Sequence, residues 1–169
     1  TLKYKGNPVG KSLQEENCKL VIDDIFETAK NNSCLINYPE DVVVGKNIND
    51  KAIIKELNEV SNDDLILDIG PKTIKKIKDI IERSKTILWN GPVGYFENPN
   101  FANGCNEIIK KIVEKNEKNL IYSIAGGGDT IAVLNQMNAV DNFNFVSTAG
   151  GAFLEYLEGK NLPGIKALN

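Results

Sequence analysis

The sequence predicts an α/β protein built on a parallel β-sheet. Two observations lead to this prediction. Short apolar runs alternate with longer amphipathic segments, and several of the apolar runs end at a glycine turn where the next amphipathic segment begins. Apolar residues make up 41% of the 169 residues and charged residues 25%, which is ordinary for a globular domain.

The N-terminal part gives the weakest pattern. Residues Ser12–Lys30 have apolar side chains at helical spacing, with a break near Asn17. Two short strands are predicted after this helix, at Ser33–Asn37 and at Val42–Val44. Because the chain opens on a short polar piece rather than on a strand and a helix, we expect a sheet that is incomplete on its N-terminal side.

The middle of the chain alternates regularly. Leu65–Ile69 is an apolar run of the buried type, and Pro71 suits the first turn of the helix that continues through Thr73–Arg83. Thr86–Trp89 is the next predicted strand, and Asn103–Lys115 has the apolar spacing of a helix.

The C-terminal third repeats this order twice. Leu120–Ile124 is a predicted strand that leads through three glycines into a helix at Asp129–Met137. Phe143–Ser147 is the last strand, and Phe153–Glu158 is a helix with Gly159 placed to end it. The whole pattern predicts a Rossmann-like, three-layer parallel sheet sandwiched by helices.

Composition excludes several kinds of chemistry. Without histidine, the chain cannot build a Ser-His-Asp or Cys-His centre or a histidine metal site. Arg83 is the only arginine against 19 lysines, and the net charge is −3, so we expect no nucleic-acid partner. No window approaches the roughly 20 apolar residues that span a bilayer, so we expect no membrane partner. The three cysteines are too few and too scattered for a disulfide framework, which favours a cytoplasmic location.

Four glycine-containing turns follow predicted strands, where open α/β sheets bind their ligands. Glycine lets the backbone approach a ligand closely, and the helix start that follows attracts phosphate. These turns favour a nucleotide or phosphate ligand over a purely structural role. They are Asp68–Pro71, Trp89–Gly94, Ala125–Thr130 and Ser147–Ala152.

Individual residues at these turns allow two interpretations. Asp129 could be an N-cap or first-turn acid that stabilises its helix, or a carboxylate that holds Mg²⁺ on a nucleotide. Glu97 could be a solvated loop acid or a ligand for ribose hydroxyls. Trp89 is predicted to pack in the core. The segment Gly6–Ser12 resembles a phosphate-binding Walker A loop but is one residue short and follows no strand, so we reject that interpretation.

Together, the turns resemble the phosphoglycerate kinase family in order and approximate spacing. The resemblance covers nearly the whole chain and includes the last helix and tail, Leu154–Gly164. Weaker matches lie at Val9–Leu13 and Asp41–Val44. The family's lysine-bearing nucleotide loop, G-G-A-K-x-x-D-K, has no counterpart in this sequence. Ala149 stands where many members have glycine, and it would be strained if that position needed a positive φ.

The resemblance implies a role for each matching residue. Gly70 would lie on the adenine side, Glu97 would hold the ribose hydroxyls, and Asp129 would hold the Mg²⁺ of the metal–nucleotide complex. Gly150 and Gly151 would form the catalytic helix start that faces the transferring phosphoryl group. The other implied nucleotide-binding residues are Asn90, Gly91, Pro92, Val93, Phe96, Gly126, Gly127, Gly128 and Thr130.

The resemblance further implies a domain assignment and a reaction. Residues 1–169 would form most of the C-terminal, nucleotide-binding domain, without its first strands and without the N-terminal phosphoglycerate-binding domain. The reaction would be reversible phosphoryl transfer between 1,3-bisphosphoglycerate and MgADP, giving 3-phosphoglycerate and MgATP in glycolysis. Its partners would be ADP or ATP with Mg²⁺, and the phosphoglycerate through the other domain. The chain is expected to be a monomer that is inactive alone; the alternative is a non-catalytic nucleotide-binding module.

Overall fold

A computed structural model describes residues 1–168 and divides the chain into two compact units. The first unit comprises Thr1–Lys76 and Gly94–Gly104, and the second comprises Ile77–Val93 and the chain from Cys105 onward. Within the described residues, no helix combines the length and the apolar character needed to cross a membrane.

The first unit contains a three-stranded antiparallel sheet. Its strands are β1 (Asp41–Gly45), β2 (Ile53–Glu56) and β3 (Leu65–Ile69), in the order β2-β1-β3. All five residues of β1 are buried, because this strand lies in the centre of the sheet. Because β2 and β3 both pair antiparallel with β1, they run in the same direction on either side of it, and residues 57–64, with a single turn of 3₁₀ helix, connect them.

The N-terminal predictions for this unit are only partly correct. Helix α1 (Lys19–Asn31) begins after Asn17, whose positive φ of 58° marks the predicted break. The predicted strand Ser33–Asn37 is wrong, since Ser33 has a φ of 53° in a turn and residues 34–37 form no strand. Strand β2 was not predicted, because its isoleucines are exposed and do not alternate with polar residues.

The second unit contains the parallel sheet. Its strands are β4 (Thr86–Asn90), β5 (Tyr122–Gly126) and β6 (Phe145–Ser147), in the order β4-β5-β6. The remaining α-helices of the chain are α2 (Pro71–Arg83), α3 (Asn103–Glu117), α4 (Gly128–Gln136), α5 (Gly151–Leu157) and α6 (Pro163–Lys166). A parallel three-stranded sheet flanked by helices confirms the predicted fold class.

Candidate functional site

Three strand ends lie side by side at the carboxyl edge of the parallel sheet. Asn90, the last residue of β4, pairs with Gly126 of β5, and Gly126 pairs with Ser147 of β6. The turns that follow these residues therefore begin at the same edge. Ligands of open α/β sheets bind at this edge.

A buried threonine connects the first two turns. The backbone N–H of Gly91 donates a hydrogen bond of 2.6 Å to Oγ1 of Thr130, in the first turns of α4. Thr130 is fully buried, and Gly91 has a φ of +97°, which residues with side chains rarely adopt. Further along this turn, the N–H of Val93 donates to Sγ of the buried Cys105 at 3.3 Å. The turn Asn90–Val93 is thus held by side chains at two points.

The three consecutive glycines after β5 have different environments. A Cβ on Gly126 would lie 2.7 Å from the ring of Phe153, so the position leaves no room for a side chain. Gly127 has a φ of +96°, and its Cβ would lie 2.9 Å from Oδ1 of Asn90. Gly128 faces open space. The first two glycines are therefore required by the fold, whereas the third leaves access from outside.

Asp129 lies at the opening of α4 with its carboxylate exposed to solvent. The N-cap of α4 is Gly127, and no side chain caps the helix. Asp129 is therefore a first-turn acid but not the N-cap. Among the residues that the structure describes, none makes a hydrogen bond or an ion pair with this carboxylate.

The turn after β6 is open. Gly150 is the N-cap of α5 with a φ of 53°, and a Cβ on Gly150 or Gly151 would meet nothing within 4 Å. Ala149 is not among the residues with positive φ, so it is unstrained where the family often has glycine. Its N–H donates to Oγ of Ser147 at 3.3 Å.

In the first unit, Gly70 is the single residue between β3 and α2. A Cβ at this position would collide with the carboxyl group of Asp41. That carboxylate occupies the start of α2, where Oδ2 accepts from the N–H of Lys72 at 2.9 Å and Oδ1 from the N–H of Thr73 at 2.8 Å. Asp41 is 1% exposed, and the Thr73 hydroxyl also donates to its Oδ1 at 2.7 Å. These two amides of α2 are therefore bound by Asp41 and are not available to a phosphate.

The remaining two predicted residues of the first unit have opposite environments. Phe96 is buried, so its ring contributes to the packing of this unit. The Glu97 carboxylate is exposed, and within residues 1–168 no hydrogen bond or ion pair engages it. Glu97 therefore has no structural role that would compete with ligand binding.

The Walker A-like segment is bound along β3 instead of forming a phosphate loop. The N–H of Lys11 donates to the carbonyl of Asp64 at 2.7 Å, and Oγ of Ser12 accepts from the N–H of Ile66 at 2.9 Å. Gly10 has a φ of 55°, and a Cβ there would collide with the Asp64 carbonyl. The segment's polar groups are thus used in the fold, in agreement with our rejection of a P-loop.

Asp64 itself is a buried carboxylate with several donors. Its oxygens accept from Nζ of Lys55 at 2.6 Å, from Nζ of Lys46 at 2.9 Å and from the N–H of Ser61 at 2.7 Å. Asp64 is 1% exposed. Burial by itself would raise the pKa of this carboxyl group, but the hydrogen bonds from Lys55, Lys46 and Ser61 outweigh it and hold the pKa well below its usual range.

Asp68, near the end of β3, pairs with no lysine or arginine among the described residues. Its Oδ2 accepts from the N–H of Gly104 at 2.7 Å, at the start of α3, and its Oδ1 from the N–H of Ile69 at 2.8 Å. The residue is 2% exposed. Burial raises the pKa of Asp68 to about 6, and the two backbone hydrogen bonds offset only part of that effect.

Asp68 should make the stability of the wild type fall as pH rises. Its folded pKa of about 6 exceeds the ordinary value of 3.8, so the folded state binds more protons in that window. Asp68→Asn cannot ionise at this position. Relative to this variant, the free energy of unfolding of the wild type should fall by about 3 kcal/mol between about pH 4 and pH 7. Denaturant unfolding of both proteins across this range measures the difference. A difference that does not change with pH would contradict the assignment.

Sequence reasoning placed Trp89 in the core and missed its contact with the turn. The prediction of a core position is confirmed, since the side chain is 8% exposed. The indole Nε1–H also donates to the carbonyl of Gly91 at 2.7 Å. The available signal was the position of the tryptophan directly before Asn90 and Gly91, at the end of the strand.

The fold and the site together define an α/β protein with glycine turns at the carboxyl ends of its parallel strands. Proteins of this class bind ligands at these strand ends. Residues 1–160 match the family model for phosphoglycerate kinase, and the chain belongs to this family of kinases.

Relatives and solved structures agree with this assignment. The phosphoglycerate kinase of Legionella pneumophila (strain Lens) is 46% identical over 169 residues, and that of Zymomonas mobilis subsp. mobilis is 43% identical over 169 residues. Each match covers 99% of this chain but only 42% and 43% of the relative. The chain thus spans less than half the length of these relatives.

The solved phosphoglycerate kinase of Coxiella burnetii superimposes with a TM-score of 0.90 at 39% identity, over 99% of this chain and 43% of that one. The enzyme of Pyrococcus horikoshii OT3 gives a TM-score of 0.71 at 26% identity, over 99% of this chain and 42% of that one. Both similarities extend over the turns described above.

Proposed function

We propose that this chain provides the Mg-nucleotide site of a phosphoglycerate kinase. The observation that supports this proposal best is Asp129, an exposed carboxylate without a partner in the described residues, at a helix start that no side chain caps. The helix start suits the phosphates, because its free N–H groups and dipole favour anions. The carboxylate suits the cation that accompanies them.

The residues present fit Mg²⁺ held in this way. Mg²⁺ prefers oxygen ligands and is usually bound through one or two carboxylates together with waters and substrate phosphates. Within residues 1–168, no cluster of three acidic or cysteine side chains could hold a metal without the nucleotide. Asp129 would therefore supply the protein ligand, and the metal would lower the repulsion between the charged phosphates.

The proposal assigns the other turn residues to positioning. Gly91, Pro92 and Val93 would line the nucleotide with Asn90, and the glycines after β5 would admit its phosphates. Gly70 would lie on the adenine side, Phe96 would lie beside the nucleotide and phosphate region, and Glu97 would bind the ribose hydroxyls. The open start at Gly150 and Gly151 would stabilise charge on the phosphoryl group during transfer.

The reaction that we propose is phosphoryl transfer between 1,3-bisphosphoglycerate and MgADP, giving 3-phosphoglycerate and MgATP in glycolysis. Such a transfer depends on positioning and charge stabilisation rather than on a covalent nucleophile. We propose that a separate phosphoglycerate-binding domain supplies the other substrate, and that residues 1–169 act as a cytoplasmic monomer without nucleic-acid or membrane partners.

Replacing Asp129 with asparagine tests the metal role. The variant keeps the shape of the side chain but removes its charge, so MgADP affinity is expected to fall at least about tenfold. Calorimetric titration of MgADP into both proteins measures this change. Asp141→Asn is the matched control, since Asp141 is an exposed acid in the single 3₁₀ turn Val140–Asn142 of the same unit. Equal affinity of Asp129→Asn and wild type would show that Asp129 is only a helix-start acid.

A coupled kinase assay separates the enzyme from the non-catalytic alternative. The 169-residue chain lacks a counterpart of the family's lysine-bearing loop, so we expect it to bind MgADP without turning over 3-phosphoglycerate. Product formation above background by this chain alone would contradict that expectation. Restored turnover on adding the remainder of a relative's chain would favour the kinase over a pure binding module.

A further inference from the structure

We propose that Trp89 is a positioning residue that holds the Gly91 turn in the conformation that receives the nucleotide. This inference rests on the proposed function, because it concerns the same turn. The indole Nε1–H donates to the carbonyl of Gly91 at 2.7 Å, from a ring that is 8% exposed.

Both peptide groups that flank Gly91 are held by side chains. The N–H on one side donates to Oγ1 of Thr130 at 2.6 Å, and the carbonyl on the other side accepts from Trp89. Because Pro92 has no N–H, this carbonyl is the only hydrogen-bonding group of the Gly91–Pro92 peptide. The two hydrogen bonds therefore determine how both peptide planes are oriented.

Gly91 needs such support. Its φ is +97°, and the place where a Cβ would be is open, so no neighbour restrains it on that side. Glycine loses more conformational freedom than any other residue when it is fixed, so an unrestrained turn would sample other conformations. Fixing the turn before the ligand arrives lowers the entropic cost of binding.

The ring is itself held in place. Trp89 packs against Phe143 with ring centroids 6.4 Å apart and an interplanar angle of 30°. Phe143 is 7% exposed. One side of the indole therefore packs in the interior of the unit, and its N–H donates to the turn.

A simpler explanation is that a buried indole N–H requires some acceptor and that Gly91 supplies the nearest one. In that case Trp89 contributes to stability alone. The two explanations differ in the ligand affinity of a variant that keeps an aromatic ring at this position and loses the N–H.

Trp89→Phe is this variant. We expect MgADP affinity to fall about twofold to tenfold, the usual range for one lost hydrogen bond, while circular dichroism shows a folded protein. Phe143→Leu is the control, because it disturbs the packing of the same ring and leaves the indole N–H in place. It should lower stability and change MgADP affinity less than twofold.

Amide exchange without nucleotide tests the same step independently of binding. The Gly91 N–H should exchange faster in Trp89→Phe than in wild type and keep its protection in Phe143→Leu. Suppose the wild type binds MgADP and Trp89→Phe shows the same affinity and the same protection of the Gly91 N–H. This result would overturn the role of Trp89 and leave the proposed function intact. Failure of the wild type to bind MgADP would instead overturn the proposed function, and faster Gly91 exchange in Trp89→Phe would still support the positioning role.

Discussion

Asp41→Ala is expected to lower the free energy of unfolding by about 3 kcal/mol. The buried carboxylate accepts from the N–H groups of Lys72 and Thr73 and from the Thr73 hydroxyl. Alanine would leave these donors without an acceptor in a site where water does not replace it. Denaturant unfolding followed by circular dichroism at neutral pH measures the loss.

Asp50→Ala is the matched control for Asp41. The Asp50 carboxylate also accepts from two backbone N–H groups, those of Lys46 and Asn47, but these hydrogen bonds are exposed to solvent. Its replacement should cost less than about 1 kcal/mol, because water can replace the lost acceptor. Equal losses in the two variants would contradict a special role for burial at Asp41.

A double-mutant cycle with Gly70 sharpens this test. Gly70→Ala should be strongly destabilising in the wild type, where the new Cβ collides with the Asp41 carboxyl group. In the Asp41→Ala background that carboxyl group is gone, so the same replacement should cost less. Additive effects would show that the two residues do not compete for the same space.

Asp64→Asn is expected to lower the free energy of unfolding by about 3 kcal/mol at neutral pH, because it removes the buried charge that pairs with the partly exposed Lys55 and the half-exposed Lys46. The sign of the pH dependence is opposite to that of Asp68. The pKa of Asp64 is lower in the folded than in the unfolded protein, so its contribution is present above the unfolded pKa and is lost as pH falls below about 4. The difference in free energy of unfolding between wild type and variant should therefore become smaller at acidic pH.

Asp63→Asn serves as the control for Asp64. Asp63 pairs with the same Lys46 at 2.7 Å, but its side chain is 58% exposed. Exposed pairs contribute little because water and salt screen them. A loss of stability for Asp63→Asn as large as that for Asp64→Asn would argue against burial as the source of the effect.

The sequence was sufficient to predict the parallel sheet. β4, β5 and β6 are apolar runs bounded by glycine turns and separated by helices, so local pattern and tertiary role agree. The antiparallel sheet was harder to predict, because β2 has exposed isoleucines at an edge and pairs with β1 through contacts that no local pattern encodes.

The turns of the candidate site could be predicted from the sequence, but the hydrogen bonds that hold these turns and helix starts in place could not. Glycines and acids near strand ends show in the sequence, and Asp129 was identified from them. The hydrogen bond from Trp89 to Gly91 and the cap that Asp41 provides to α2 depend on where side chains point. Asp41 and α2 are joined only by folding, because Asp41 precedes Thr73 by 32 residues.

The location of Trp89 gives the chain a built-in optical probe of one unit. It is the only tryptophan, it is buried, and it belongs to the second unit, whereas Asp41 and Asp64 belong to the first. Indole emission therefore reports the melting of the second unit alone, while circular dichroism averages over both. If Asp41→Ala shifts the two melting curves together, the units unfold as one cooperative block; if only the dichroism curve moves, each unit melts on its own.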